Sequence, residues 1–144
     1  MRSRELAGIG RKGFIVSSSA PVGTATILVV DDDALITLNT ADILVEMGHR
    51  ALEAYSGREA LEMLAAHPEI GLVITDYGMP GMNGAELAAS ARAVRPGLPV
   101  LLATGYAELP DGSDSDLPRL EKPFRQEELM RRIGDMLGPA AAKV

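Results

Sequence analysis

Short apolar stretches rich in branched residues alternate along most of the chain with longer stretches of helical periodicity. Four of the short stretches predict β-strands, and a weaker fifth lies near residues 117–120. The four are Thr26–Val30, Arg50–Ala54, Gly71–Thr75 and Pro99–Ala103. The first, third and fourth are apolar almost throughout, which is typical of strands covered by helices on both faces of a parallel sheet.

Helices are predicted between these strands, because apolar residues recur there at helical spacing and a glycine or proline follows each stretch. They are Ala34–Met47, Gly57–Ala66, Asn83–Val94 and Arg125–Leu137. Asn83 is suited to cap the third helix, and Gly48 to end the first in a left-handed conformation. Between Ala107 and Pro118 the sequence is rich in Pro, Gly, Ser and Asp, so the helix of that connection is predicted to be short or irregular.

This alternation predicts an α/β fold, a doubly wound five-stranded parallel sheet with right-handed crossovers. We place the domain at residues 24–138, with a flexible leader at residues 1–23 and a short tail at residues 139–144. Ligands of such folds bind beyond the carboxyl ends of the strands, where the strand order reverses. The functional residues are therefore expected directly after the strands.

The composition narrows the classes of function. The 144 residues, 47% of them hydrophobic, suit one globular domain, and the lack of cysteine excludes disulfides and thiolate zinc sites. A net charge of −6 argues against nucleic-acid binding. No apolar run is long enough to span a membrane, so a cytoplasmic location is expected. The leader has a net charge of +3. We interpret it as a disordered segment or as an artefact of the assigned translation start, and the alternative is an anchor for a partner or an acidic surface.

Polar and charged residues stand directly after the predicted strands. They are Asp31, Asp32 and Asp33 after the first, Asp76 after the third, Thr104 and Gly105 after the fourth, and Lys122 after the fifth. Taken one at a time, such residues are also typical of helix caps and turns. Because parallel strands end at the same edge of a sheet, together they predict a cluster of carboxylates, one hydroxyl and one ammonium.

The charges of this cluster predict a metal ion. Two carboxylates about 5 Å apart repel by roughly 3 kcal/mol at an effective dielectric of about 20, so three cannot all stay ionised cheaply. Mg²⁺ prefers oxygen ligands, and together with Lys122 it would neutralise Asp31, Asp32 and Asp76. Asp76, on the middle strand, is then the candidate nucleophile that forms an acyl phosphate, with Thr104 and Lys122 binding phosphoryl oxygens.

These residues lie in motifs that closely resemble those of CheY-like receiver domains of two-component response regulators. The matching segments are Ile27–Asp33, Val73–Gly84, Ala103–Tyr106 and Glu121–Phe124, in the family's order and spacing. The resemblance covers residues 26–137 and implies the flavodoxin-like strand order 2-1-3-4-5. It also implies a protein that is not a conventional enzyme and that catalyses only its own phosphorylation and dephosphorylation.

The resemblance implies transfer of a phosphoryl group from a kinase phosphohistidine to Asp76. The implied site residues are the phosphate ligands Thr104 and Lys122, and the metal ligands Asp31 through water, Asp32, Asp76 and the backbone carbonyl of Gly78. The implied partners are a sensor histidine kinase and a downstream protein or phosphotransferase, and the implied state is a monomer or weak homodimer. The Lys122–Pro123 peptide bond is expected to be cis, as is usual in the family.

Departures from the family pattern concern how the signal is passed on. The aromatic switch residue expected three positions before the lysine is Arg119 here, so the usual coupled movement of threonine and ring cannot operate unchanged. The sequence Ala103–Tyr106, A-T-G-Y, is similar to that of a subclass of single-domain receivers, and receivers of hybrid histidine kinases show similar motifs. We therefore expect phosphorylation to order the segment Ala107–Pro118.

Three functions follow from these observations. The first is a single-domain response regulator that signals by altered protein contacts, and the second is a relay or sink for a hybrid histidine kinase. The third is a Mg²⁺-dependent phosphohydrolase with an aspartyl-phosphate intermediate, which would need a second acid to activate water. Gly78, two positions after Asp76, cannot be that acid.

The first predicted helix is apolar on two sides. One stripe, expected to face the sheet, comprises Ile36, Thr40, Ile43 and Met47. The other comprises Leu35, Leu38 and Val45. This second stripe is interpreted either as part of a wide core contact or as a surface that docks onto the helical hairpin of a histidine kinase.

Overall fold

The structure, a computed structural model, describes residues 24–105 and 117–142 of the chain. Within these residues, five parallel strands form one sheet. The strands are β1 (Thr26–Val30), β2 (Arg50–Ala54), β3 (Ile70–Asp76), β4 (Val100–Thr104) and β5 (Arg119–Glu121). The described parts of the chain also form the helices α1 (Ala34–Glu46), α2 (Gly57–Ala66), α3 (Gly84–Val94) and α4 (Gln126–Ala142). The strand order β2-β1-β3-β4-β5 confirms the predicted doubly wound α/β fold.

Two predictions concern residues outside these ranges. The predicted leader, residues 1–23, is one of them. The segment Ala107–Pro118, for which a short or irregular helix is predicted, also lies outside the described residues except for its last two positions. Leu117 and Pro118, the last two residues of that segment, are described and lead without helical structure into β5.

The sheet is covered on both faces, which explains the continuous apolar runs of its central strands. Ile27 of β1 belongs to a core with Leu44 of α1 and Leu129 of α4. Its neighbour Leu28 belongs to a second core on the opposite face, which includes Leu87 of α3. Because successive strand residues point to opposite faces, a strand packed on both sides needs apolar residues at every position.

Polar caps begin three of the helices. The side chain of Asp33 accepts hydrogen bonds at the start of α1, and Ser56 does the same for α2. Asn83 and Glu86 form a reciprocal capping box at the start of α3, which confirms the predicted cap. Gly48 follows α1 with φ of +97°, the left-handed conformation predicted for it.

The rotation of α1 differs from the prediction. The helix residues buried against the sheet are Thr37, Thr40, Ala41 and Leu44. Of the predicted stripe only Thr40 is among them, and the other three residues are half-buried. The small side chains at positions 37 and 41 let the helix approach the sheet, and buried threonine hydroxyls are tolerated where they are hydrogen-bonded. Leu35, Leu38 and Val45 are exposed, so the interpretation of a wide core contact is wrong.

The last helix is longer than predicted. Its end was expected at Leu137 with a tail at residues 139–144, but α4 continues through Pro139 to Ala142. A proline removes one hydrogen bond from a helix and crowds the preceding turn. The alanines at positions 140–142 have the highest helix propensity of any residue, which favours continuation. Leu129 and Ile133 of this helix lie in the core, and Leu137 is partly buried against it.

Gly84 allows α3 to begin very close to the end of β3. Its backbone N–H donates to the carbonyl of Tyr77 at 2.8 Å. A Cβ at this position would contact the backbone oxygen of Asp76 and would lie 2.7 Å from Cδ1 of Leu102. Because backbone atoms cannot yield as a flexible side chain can, this close approach requires glycine.

Replacement of Gly84 by alanine is therefore expected to lower the free energy of unfolding by about 1–3 kcal/mol through overpacking. Urea unfolding followed by circular dichroism measures this change. The matched control is Gly134→Ala in α4, where no atom lies within 4 Å of the added Cβ apart from its chain neighbours and the backbone of its own helix. That control is expected to stabilise the helix by up to about 1 kcal/mol, and equal effects of the two substitutions would contradict the packing argument.

Candidate functional site

Four strands deliver polar residues to the carboxyl edge of the sheet. Asp31 follows β1 directly, Asp76 is the last residue of β3, Thr104 is the last residue of β4, and Lys122 follows β5. Parallel pairing of neighbouring strands brings their ends together at this edge. Asp31, Asp76 and Thr104 are only 4%, 5% and 7% exposed. The edge therefore holds the polar cluster that the sequence predicts.

The three consecutive aspartates have different environments. Asp33 caps α1, so the interpretation as a helix cap applies to this residue. Asp31 is buried, and its Oδ1 accepts the backbone N–H of Asp33 at 2.9 Å. Asp32 is exposed, yet its carboxylate, with those of Asp31 and Asp76, offers oxygens that all lie within 4.8 Å of one another. Two of the three aspartates thus join the carboxylate cluster.

Lys122 brings a positive charge to this cluster. Its Nζ donates to Oδ1 of Asp76 at 2.6 Å and to Oδ2 of Asp31 at 3.3 Å. Burial by itself lowers the pKa of the ammonium, but the hydrogen bonds and charges of the two carboxylates outweigh it, so the pKa of Lys122 is raised above its ordinary value. The lysine is charged at neutral pH, and it offsets only part of the negative charge of the three carboxylates.

Backbone contacts place the remaining predicted site residues. The carbonyl of Thr104 accepts the backbone N–H of Lys122 at 2.7 Å, which ties the lysine to the end of β4. Gly78 lies exposed in the loop after β3, two residues beyond Asp76. The Lys122–Pro123 peptide bond is cis, as the resemblance implies. The roles of Thr104 as a phosphate ligand and of Gly78 as a metal ligand stay predictions.

Two buried threonines support the site and were not predicted to do so. The hydroxyl of Thr37 donates to the backbone carbonyl of Asp31 at 3.1 Å. The hydroxyl of Thr75 donates to the carbonyl of Asp76 at 3.0 Å. The only signal in the sequence is spacing, since Thr75 precedes the strand-end aspartate and Thr37 lies one helical turn after the cap Asp33.

The donor set suits a small, hard divalent cation. Asp31, Asp32 and Asp76 offer three carboxylate oxygens at mutual distances that one ion can span. Oxygen-only ligand sets are typical of Mg²⁺, which keeps several waters and needs only one or two carboxylates. The exposure of Asp32 gives a hydrated ion access to the cluster. The residues present therefore fit the predicted metal.

The chain belongs to the response regulator receiver domain family, whose family model matches residues 27–134. Receiver domains of this family are signalling modules of bacterial two-component systems, not conventional enzymes, and they interact with histidine kinases or phosphotransferases. These matches confirm the resemblance found in the motifs. The A-T-G-Y subclass stays a prediction, and Tyr106 of that motif lies outside the described residues.

Relatives of two kinds are similar to this chain. The response regulator receiver protein CpdR of Brucella abortus is 35% identical over 77% of this chain and 95% of its own length. The sensor kinase CckA of the same organism is 33% identical over 80% of this chain, which spans only 13% of that kinase.

Solved structures give the same two kinds of neighbour. A receiver protein from Sinorhizobium medicae has a TM-score of 0.72 at 30% identity, covering 80% of this chain and 95% of its own. The receiver domain of the hybrid histidine kinase CckA has a TM-score of 0.67 at 30% identity, covering 78% of this chain and 99% of its own. In the described parts of the chain, no helix has the length and apolar character needed to cross a membrane.

The carboxylate cluster leads to a prediction about stability. In EDTA, Asp32→Asn is expected to raise the free energy of unfolding by about 1 kcal/mol, because it removes a repelling charge that solvent partly screens. Mg²⁺ should stabilise the wild type and have much less effect on the variant. Urea unfolding in EDTA and in Mg²⁺ measures both effects.

The control for this experiment is Asp42→Asn, an exposed aspartate of α1 that is not part of the cluster. It should change neither the stability in EDTA nor the response to Mg²⁺. An Asp32→Asn variant that is less stable in EDTA and still responds fully to Mg²⁺ would show that the electrostatic description is wrong.

Proposed function

We propose that Asp76 accepts a phosphoryl group from a histidine kinase in a Mg²⁺-dependent reaction and that the protein then signals through altered protein contacts. One observation carries the proposal: Lys122 Nζ meets the buried carboxylate of Asp76 at 2.6 Å, beside the carboxylates of Asp31 and Asp32. Membership of the receiver family supports it. We place this reaction in the cytoplasm, where the kinase domains of such systems act.

Asp76 acts as the nucleophile in this proposal. One of its carboxylate oxygens forms a bond to phosphorus, while the P–N bond of the phosphohistidine breaks and the imidazole nitrogen leaves with its electron pair. The ammonium of Lys122 and the hydroxyl of Thr104 then stabilise two phosphoryl oxygens. Lys122 needs little movement for this role, because it already contacts the attacking carboxylate.

The proposed metal ligands are Asp32, Asp76 and the backbone carbonyl of Gly78, with Asp31 acting mainly through water. Bound Mg²⁺ supplies electrostatic stabilisation of the phosphoryl oxygens. The chain itself keeps the carboxylates of Asp31 and Asp76 in place through their shared contacts with Lys122. The buried carboxylates are thereby paired before any ligand arrives.

The outward side of α1 is the proposed docking surface for the kinase. Leu35, Leu38 and Val45 are 69%, 49% and 59% exposed. A groove of about 810 Å³ lies beside them, between α1 and the segment Lys122–Gln126. An exposed apolar stripe next to the acceptor site suits an amphipathic helical hairpin, which could present its phosphohistidine at the edge of the sheet.

Two roles in such a system are supported by different relatives. Near-complete coverage of CpdR and of a chemotaxis protein CheY homologue supports a single-domain response regulator. Likeness to the receiver of CckA supports the second role, a relay or sink of phosphoryl groups for a hybrid kinase. In both roles the further partner is a downstream protein or a phosphotransferase, and the protein is a monomer or weak homodimer.

Phosphorylation itself is tested with Asp76→Asn. With Mg²⁺ and acetyl phosphate, or with the purified histidine kinases of the source organism, the wild type is expected to gain one phosphoryl group. The variant should gain none, because an amide is a poor nucleophile. Intact mass and radiolabel transfer measure the product, and Asp135→Asn, an exposed aspartate of α4, is the control. Full labelling of Asp76→Asn would refute the assignment, whereas repeated turnover of a phosphate ester would favour a phosphohydrolase.

The docking surface is tested with Leu38→Glu. The charge should weaken kinase binding and slow phosphotransfer from the kinase about tenfold or more, because a carboxylate in an apolar contact is costly. Uptake from acetyl phosphate should be unchanged. The matched control is Val94→Glu on α3, a residue 68% exposed on another helix. Loss of uptake from both donors would indicate unfolding, and equal rates from the kinase for both variants would rule out this surface.

A further inference from the structure

We infer that Thr37 is a positioning residue for the metal site, an inference that rests on the proposed function. Thr37 lies in the first turn of α1 and is fully buried. Its Oγ1 lies 3.1 Å from the carbonyl oxygen of Asp31 and 3.0 Å from that of Asp33. One hydroxyl proton, shared by the two carbonyls in a three-centre hydrogen bond, therefore joins both ends of the turn that contains Asp32.

The carbonyl that Thr37 contacts belongs to the peptide group between Asp31 and Asp32. Because a peptide group is planar, a hydrogen bond to its oxygen restrains the direction in which the chain continues to Asp32. Other polar groups of Asp31 are also hydrogen-bonded. Its backbone N–H donates to the carbonyl of Ala54 at 3.2 Å, and its Oδ1 accepts the backbone N–H of Asp33. Asp32 is exposed, and the backbone of this turn sets the position from which its carboxylate extends.

The usual bond of a helical threonine to its own helix accounts for only one of the two contacts. A threonine hydroxyl inside a helix often bonds to the carbonyl four residues earlier, and the contact with Asp33 is of this kind. The contact with Asp31 reaches six residues back, beyond the helix, to the residue that directly follows β1. The second bond therefore links the helix to the carboxylate-bearing turn.

Outer hydrogen bonds of this kind orient metal ligands, and their loss typically weakens metal binding by about tenfold or more. Thr37→Val keeps the shape of the side chain and removes the hydroxyl. Thr37→Ser keeps the hydroxyl and removes a methyl group. The matched control is Thr40→Val, because Thr40 is 4% exposed on the same helix and takes part in neither of these bonds.

The test measures Mn²⁺ binding to the full chain by the loss of the free-ion electron paramagnetic resonance signal, and Mg²⁺ binding by competition. Thr37→Val should raise the Mn²⁺ dissociation constant about tenfold. Thr37→Ser and Thr40→Val should stay within about twofold of the wild type. Urea unfolding in EDTA is measured in parallel, and Thr37→Ala replaces Thr37→Val if the latter does not fold.

Equal Mn²⁺ affinity in the wild type and in the variant without the hydroxyl overturns the inference, even if stability falls, because a purely structural threonine gives that result. Weakened binding in Thr40→Val as well would likewise overturn it, since the effect would then be general to the helix. A wild type that binds no Mn²⁺ would instead refute the metal site of the proposed function, and the inference with it.

Discussion

The site depends on a balance of charge at the carboxyl edge of the sheet. Lys122 follows β5, yet it contacts the aspartate that follows β1, although β3 and β4 lie between these two strands in the sheet. Such a contact is possible only because all these strands run in parallel and end together. One ammonium contacts two buried carboxylates, and the negative charge that it leaves uncompensated favours the binding of a divalent cation.

Hydrophobic packing determines where these carboxylates lie. Ile27 and Leu28 belong to cores on opposite faces of the sheet. A slip of β1 by one residue would exchange the two faces and remove Asp31 from the strand end. The close start of α3 at Gly84 holds the end of β3 in the same way. The positions of the charged groups are therefore consequences of apolar contacts within the strands that carry them.

The sequence was sufficient to predict the strands and the sheet edge where the polar residues meet, because parallel strands buried on both faces are continuous apolar runs. Residues directly after such runs, including Asp76 and Lys122, then share one edge. The rotation of α1 could not be predicted in this way, because a hydrophobic pattern predicts that apolar side chains are buried. Thr37 is polar, and it is buried with its hydroxyl hydrogen-bonded to the carbonyl of Asp31. The end of α4 lies beyond Leu137 because the alanines after Pro139 favour a helix, whereas Gly138 and Pro139 predict its end.

The three consecutive aspartates show most clearly what a sequence pattern leaves open. The three side chains are chemically identical. Only the geometry of the turn decides that Asp33 caps α1 while Asp31 and Asp32 join the cluster. A helix that began one residue earlier would make Asp32 the cap and take its carboxylate away from Asp76. Because the hydroxyl of Thr37 contacts the carbonyls on both sides of this turn, the helix boundary and the ligand geometry are fixed together.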